Sequence, residues 1–388
     1  MNNALSSDHY DVIIVGARPA GTATALLLAR QGLRVAIVDR GRYGADTLST
    51  HALMRAGVLQ LARLGVLARV IEAGTPPVRS ATFTYANETQ QVPIKARDGL
   101  DALYAPRRTV LDRALVDAAR VAGIEVGFST TLVDLVKTAD GRVGGIVARG
   151  EDGGLTSVKA RLVVGADGMR STVAKLAAAE ITRTGSGTTA NVYGYWSNVP
   201  VDGYHWFFDN GVSAGAIPTN DGFTCIFASV PTSRFEETFR EDVEAGYRHV
   251  LSLAAPRLSA RLAGGHLAER LRGIPGQPGF LRRAAGPGWA LVGDAGYFKD
   301  PTTAHGITDA LVDAEYLARA IGRGTGAALE EYALERDRRA EVVFGVTDRI
   351  ATFAWTLDEV RALHKQLAAA MSDEVTALRE LTQETAFA

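Results

Sequence analysis

Asp11-Val-Ile-Ile-Val15 is a short, almost wholly apolar run. Its lack of alternation is the pattern of a parallel strand buried on both faces. A turn bounded by Gly16 and Gly21 follows, then an Ala- and Leu-rich stretch, Thr22–Gln31. That stretch predicts a helix stopped by Gly32. Leu33–Val38 predicts a second buried strand ending at Asp39, so the chain opens on a βαβ unit. Further along, the pattern predicts a helix from about Leu53 to Ala73 and a strand or hairpin over Ser80–Val92. It then predicts a helix over Thr109–Ala122 and a strand over Glu125–Ser129. Leu132–Val136 and Val143–Ala148 flank Asp140-Gly141, a hairpin signal. Lys159–Gly165 and Trp289–Val292 predict two more buried strands.

Residues 190–232 differ in texture. Tyr193, Tyr195, Trp196, Tyr204, Trp206, Phe207 and Phe208 fall in strand-like runs separated by glycine turns, predicting an antiparallel sheet. A period of two sets Tyr204, Trp206 and Phe208 on one face and His205 and Phe207 on the other. Arg234–Leu271 predicts mostly helix. No proline follows Pro301 and no glycine follows Gly345, so the tail is free to be helical. Trp355, Val360, Leu363, Leu367 and Met371 recur there at helical spacing, which predicts core or interface.

Composition narrows the classes. The 388 residues are 47% apolar and 22% charged, which excludes a disordered chain. Forty-two Lys and Arg against forty-three Asp and Glu leave a net charge of −1. That gives no electrostatic reason to expect nucleic acid or an anionic membrane as partner. No run approaches the ~18 apolar residues of a membrane span, and the polar first ten residues do not read as a signal peptide. Cys225 is the sole cysteine, so no intramolecular disulfide can form, and a cytoplasmic protein is expected. Its apolar setting, Phe223–Phe227, predicts a buried small hydrophobe. No metal site is expected.

The chemistry begins at Gly16-Ala17-Arg18-Pro19-Ala20-Gly21, between a strand and a helix. Gly16 permits the tight turn, Gly21 permits close packing, and the helix N-terminus offers free N–H groups to a pyrophosphate. Asp39, eighteen residues after Gly21 at the end of the second strand, is positioned to accept from ribose hydroxyls. Arg18 stands where a third glycine is usual, so an arginine there must either tolerate the close phosphate approach or turn its guanidinium outward, toward a phosphate.

Two later motifs add to this one: Gly165-Ala166-Asp167-Gly168-Met169-Arg170-Ser171, and Gly293-Asp294 followed by Pro301 and Gly306. With them the sequence resembles the FAD-dependent monooxygenases of the aromatic (p-hydroxybenzoate) hydroxylase type, over about residues 8–325. That superfamily also includes geranylgeranyl reductases and flavin-dependent halogenases. The resemblance implies an α/β fold. A Rossmann-like, glutathione-reductase-type FAD-binding domain would span 1–78, 101–180 and 286–325. An inserted mixed or antiparallel β-sheet substrate domain would span 79–100 and 181–285, and C-terminal helices 326–388.

The resemblance also implies roles. Gly16, Arg18, Ala20, Gly21, Asp39, Arg40, Ser49, Arg108, Asp167, Gly168, Asp294, Pro301, Gly306 and Ile307 would hold FAD. Arg108 would reach phosphate or ribityl oxygens and Asp294 the ribityl hydroxyls. The helix from Gly306 would aim its N–H groups at flavin N1 and O2, stabilising the reduced anion. Thr47–His51 and Arg55–Leu59 would lie near the flavin. Pro301, His305 and His51 are the catalytic candidates, His305 as a proton shuttle. Tyr193, Tyr195, Trp206, Phe208, Phe298 and Thr303 are the substrate candidates. Thr308 departs from the family, which has an asparagine there.

The implied activity is hydroxylation of an aromatic or polycyclic small molecule through a flavin C4a-hydroperoxide, with O2 and transient NADH or NADPH. Three alternatives remain. One is a C=C reductase of the geranylgeranyl reductase type; Asp209 stands where that family has proline after its aromatic motif. Another is a halogenase served by a separate flavin reductase, although the Gly-Trp-x-Trp-x-Ile-Pro signature is missing. The last is a non-catalytic prenyl binder of the GDP-dissociation-inhibitor type, for which the Gly293–Gly306 segment has no use. The helical tail would cap the site or form a homodimer.

Overall fold

The computed structural model describes Ser7 and residues 9–385; the end of the predicted helical tail, 386–388, lies outside the described residues. The opening βαβ unit is β1 (His9–Val15), α1 (Pro19–Arg30) and β2 (Val35–Val38). Pro19 suits the first turn of α1, where its missing N–H costs nothing. The single helix expected over 53–73 is two, α2 (Arg55–Arg63) and α3 (Leu67–Glu72). Gly65, at φ 75°, turns the chain between them, a conformation costly for any residue with a Cβ. The hairpin β3 (Ser80–Tyr85) and β4 (Glu88–Pro93) comes next, then α4 (Arg108–Val121) and β5 (Glu125–Gly127). A second hairpin, β6 (Thr131–Lys137) and β7 (Val143–Arg149), leads into β8 (Leu155–Gly165).

The aromatic region forms four strands: β9 (Thr189–Ser197), β10 (Tyr204–Asp209), β11 (Val212–Pro218) and β12 (Thr224–Pro231). Residues 234–271 are mainly helical, as expected, but end in a two-residue strand, His266–Leu267, paired to β9. After β13 (Trp289–Leu291) the chain closes with three helices, α5 (Gly306–Arg323), α6 (Ala327–Ala351) and α7 (Leu357–Thr385).

Two sheets organise these elements. In the first, β13, β8, β1, β2 and β5 lie side by side and parallel. Helices α1, α4 and α5 cover one face, as the unbroken apolar strands demand. In the second, β9, β12, β11 and β10 run antiparallel, and β3 joins β10 in parallel. The second sheet is therefore mixed, because β3 reaches it from the first half of the chain. Along β10, burial alternates so that Tyr204, Trp206 and Phe208 face inward together. Cys225 is buried on β12, and burial pushes its thiol up to about 12. The tail packs on the rest through Ala56 and Leu59 of α2, Val312 of α5, and Val375 and Leu378 of α7.

The strand ends of the first sheet meet where two glycines are obligatory. At Gly16 (φ 116°) a Cβ would overlap the Ala166 carbonyl oxygen, and at Gly21 it would overlap the Gly16 carbonyl oxygen. Gly21→Ala is therefore expected to cost about 1–3 kcal/mol or more by overpacking. Urea unfolding of variant and wild type would check this, and equal midpoints would refute the close-approach account.

Candidate functional site

At the carboxyl end of β1, the Asp39 carboxylate bridges the turn. Its Oδ2 accepts from Ala17 N at 2.7 Å and its Oδ1 from Gly41 N at 2.6 Å. No side chain caps the N-terminus of α1. Arg18 turns its guanidinium away from the turn and donates from Nη1 to Asp112 Oδ2 at 2.8 Å. Arg108 donates to the same carboxylate from Nε and Nη2, at 2.9 and 3.0 Å. Two guanidiniums on one carboxylate leave a net positive charge beside an uncapped helix N-terminus, which suits a pyrophosphate. Arg40 is exposed next to Asp39.

Asp167 serves a local task here: it accepts from Ser171 Oγ at 2.5 Å and from the N–H groups of Thr172 and Val173 at a helix start. Asp294 differs. It makes no hydrogen bond among the described residues, and burial pushes its carboxyl up to about 6 against the pull of Lys299 and Arg108. A Cβ on Gly306 would come within 3.8 Å of its Oδ1, so Asp294 sits at the foot of α5. The N-terminus of α5 is also uncapped, with Gly306 exposed and Ile307 half-buried. A half-buried carboxyl without a hydrogen-bond partner, near two uncapped helix N-termini, suits a ligand bearing hydroxyls and anionic oxygens. These residues fit FAD: the α1 end and the arginines would hold its phosphates, Asp39 and Asp294 its sugar and ribityl hydroxyls.

Thr308, the departure from the family, still pins a neighbour: its Oγ1 accepts from Met54 N at 3.0 Å. Gly57 of α2 allows that approach, since a Cβ there would crowd Thr308 Oγ1. The loop before α2 is fastened to the second sheet. Tyr193 OH accepts from Ser49 N at 3.1 Å, Asp46 pairs with Arg272 at 2.7 Å, and His51 Nε2 bonds the Tyr195 hydroxyl. His51 is held at φ 70°, and its buried Nδ1 has no hydrogen bond. Burial, with nearby Arg108, pushes it down to about 3, so the ring is neutral at ordinary pH.

A cavity of about 320 Å³ opens between β3, β10, α2, α7 and the turn before α5. Its walls are mostly apolar: Phe83, Tyr204, Trp206 and Phe208 from the sheet, Leu367 and Met371 from α7. Thr302, Thr303, His305 and Glu374 form a polar end. Of the sequence-predicted substrate residues, Trp206, Phe208 and Thr303 line this cavity. Tyr193 and Tyr195 instead hold the 49–51 loop, and Phe298 packs on Phe280 with ring centroids 5.7 Å apart. His305 lies at the cavity's polar end and His51 does not line it. Pro301 begins a short turn fixed by Asp300, which accepts from Thr302 N at 2.9 Å and Thr189 N at 2.7 Å.

The tail, expected to cap the site or form a homodimer, closes one side of the cavity. Leu367 and Met371, expected as core or interface, pack with the core and also line the cavity. His364 bonds Tyr85 OH through Nδ1 at 2.9 Å; buried, it is pushed down to about 4. Glu374, spaced seven and three residues after Leu367 and Met371 on the same helix, carried only that spacing as a signal. His305, Asp309 and Glu374 offer ligand atoms within 4.8 Å of one another, and Lys299, ion-paired to Asp309, already supplies positive charge there. Among the described residues, no helix is long and apolar enough to cross a membrane.

The family described as FAD binding domain matches residues 9–271. A curated relative, digeranylgeranylglycerophospholipid reductase 2 of Methanococcoides burtonii, is 26% identical over 348 residues, 84% of this chain and 79% of the relative. Aklavinone 12-hydroxylase DnrF of Streptomyces peucetius is 32% identical over 212 residues, 49% of this chain and 42% of the relative. Among solved structures, the flavin-dependent brominase Bmp2 superposes with a TM-score of 0.79 at 17% identity, covering 97% of this chain and all of that one.

The raised carboxyl of Asp294 makes a prediction. Folding disfavours its charged form, so the apoprotein is stable with respect to this group below about pH 4 and loses that stability as pH rises through about 6. The loss is on the order of 3 kcal/mol. Asp294→Asn is expected to stabilise the FAD-free protein at pH 8 but not at pH 4, while weakening FAD binding about tenfold or more. Paired urea melts and flavin titrations would check both arms; a variant with no pH-dependent gain would refute the assignment.

Proposed function

Because the chain belongs to the FAD binding domain family and is an FAD-dependent oxidoreductase, we propose that it is a monooxygenase hydroxylating an aromatic or polycyclic small molecule. Its co-substrates are O2 and NADH or NADPH. When bound, the flavin supplies the electron transfer and the oxygen activation. The residues of the chain do the rest. Arg18, Arg108 and the α1 N-terminus bind the phosphates. The open N–H groups of α5 stabilise negative charge on the reduced ring. Trp206, Phe208, Leu367 and Met371 exclude water and orient the substrate, and His305 holds a proton at the reacting end.

The observation that carries this reading is the aromatic-walled cavity, about 320 Å³, ending at Thr303 and at His305, the residue before α5. Its volume is at the low end of the ~300–1,000 Å³ typical of small-molecule sites. That suits a compact ring system better than a long prenyl chain. DnrF, named a hydroxylase, supports the same direction.

A second reading is a C=C reductase, favoured because the relative covering 84% of the chain is named a reductase. One assay separates them: NAD(P)H oxidation and oxygen uptake by the purified flavoprotein, with and without a panel of aromatic compounds. A monooxygenase gives stimulated oxygen uptake and a product heavier by one oxygen. A reductase gives a product heavier by two hydrogens without oxygen incorporation. Flavin reduction that needs an added reductase would favour the halogenase class. His305→Asn is expected to lower kcat about 10²-fold with FAD content unchanged; unaltered kcat would remove His305 from the chemistry.

A further inference from the structure

The cavity has a basic rim where it meets solvent. Tyr204, Trp206 and His305 line it and are buried, whereas Arg97, Ala368 and Ser372 line it and are exposed. The cavity therefore opens between the loop after β4 and helix α7. Arg97 stands on a fixed turn of that loop. Its backbone N–H donates to Leu100 O at 2.9 Å and its carbonyl accepts from Leu100 N at 3.0 Å. Asp98 and Gly99, between them, lie at φ 57° and 73°, and Asp-Gly is the pair such a turn favours. Arg55, the first residue of α2, clamps the same loop. It donates from Nη2 to Lys95 O at 2.6 Å and from Nη1 to Leu100 O at 3.3 Å.

These two guanidiniums are short of negative charge. Arg55 spends its hydrogen bonds on carbonyl oxygens and has no carboxylate within 4 Å among the described residues. Arg97 Nε reaches Asp98 Oδ2 only at 3.8 Å, while Asp98 Oδ1 takes Arg379 Nε at 2.9 Å. Burial pushes Arg55 below the ordinary guanidinium range; Asp98 opposes that shift and Arg97 adds to it. One carboxylate thus answers three cations, and two of the three line the cavity. No other Lys or Arg lines it among the described residues. The lining carboxylate, Glu374, stands 3.4 Å from the buried His305, away from bulk water.

Resting on the monooxygenase reading, we propose that the substrate carries an anionic group, a carboxylate or a phosphate, which seats on Arg97 and Arg55 at the cavity mouth while its ring lies inward against Trp206 and Phe208. An anion drawn into the apolar interior would lose its hydration and meet Glu374, a cost no lining cation there offsets. At the mouth it stays partly hydrated and gains charge-assisted hydrogen bonds from planar guanidiniums. Arg55 and Arg97 are thus specificity-determining residues, and they fix which end of the substrate enters first.

The test uses the FAD-loaded protein and 2-naphthyl alkanoates of increasing chain length, each beside its neutral primary carboxamide of nearly the same shape. Phosphate monoesters of the corresponding naphthylalkyl alcohols form a third series and show which anion the mouth prefers. Binding is read by calorimetry, without turnover. At the best-fitting length, at least one anion is expected to bind about tenfold tighter than the amide, by a margin that shrinks as salt rises. Arg97→Gln changes an exposed side chain and leaves the backbone pairing of the turn intact; it is expected to cut the ratio about threefold. Arg97→Glu is expected to abolish the preference. Arg55→Gln is expected to cut it at least as much as Arg97→Gln, and should that variant fail to fold, the two Arg97 variants decide. Equal binding of anion and amide at every length, no binding in any series, or a ratio unchanged in the Arg97 variants overturns the proposal. An anion preference that the variants remove, without oxygen incorporation into any ligand, would keep this subsite and remove the monooxygenase reading.

Discussion

The close contact of backbone at Gly16, Gly21 and Ala166 is the constraint on which the rest depends. Three chain segments meet there with no room for a Cβ on either glycine. That contact seats α1 against the ends of β1 and β8, and so directs the uncapped N-terminus of α1 to the place where Arg18 and Arg108 gather. Asp39 can bridge Ala17 and Gly41 only because the turn is this tight. A wider turn would move the helix N-terminus and the arginines apart, and the positive pocket would dissolve into solvent.

Away from that point, the molecule follows a simple electrostatic rule. Buried charges are mostly matched: Arg107 with Glu269, Arg272 with Asp46, Arg339 with Asp313, Lys299 with Asp309. Some polar atoms near the site are left over. Asp294 has no hydrogen-bond donor among the described residues and the buried His51 Nδ1 has no partner, while His305 Nε2 and Glu374 Oε2 stand 3.4 Å apart. A folded protein keeps such groups at a cost, which a bound ligand can offset. The same logic separates Asp167 from Asp294. Both are acids in family-like motifs, but Asp167 is fully engaged in capping a helix, whereas Asp294 is left free.

The C-terminal helix α7 changes how the cavity is understood. Without it, the aromatic face of β10 would be open on one side. Leu367, Met371 and Val375 close it, and Glu374 adds the only carboxylate among the described lining residues. The cavity wall is therefore divided between a sheet and a helix from the far end of the chain, joined through α2 and α5.

Much of this was legible in the sequence. Unbroken apolar runs identified the parallel strands, and glycine positions identified the dinucleotide turn, because both signals are local: burial on two faces and a positive φ leave their mark within a few residues. The alternation at Tyr204, Trp206 and Phe208 likewise announced a shared face. What lay across the chain was not legible. The parallel pairing of β3 with β10 and the diversion of Tyr193 and Tyr195 to hold the 49–51 loop depend on partners over a hundred residues away. The meeting of Glu374 with His305 likewise joins two different helices across the fold. An apolar stripe at helical spacing says that a helix is buried on one side; it does not say against what. The sequence by itself determined the elements and the FAD-type cradle, since local sterics suffice for both. Only the tertiary structure decided which side chains face the cavity, because that is set by packing between segments with no local imprint.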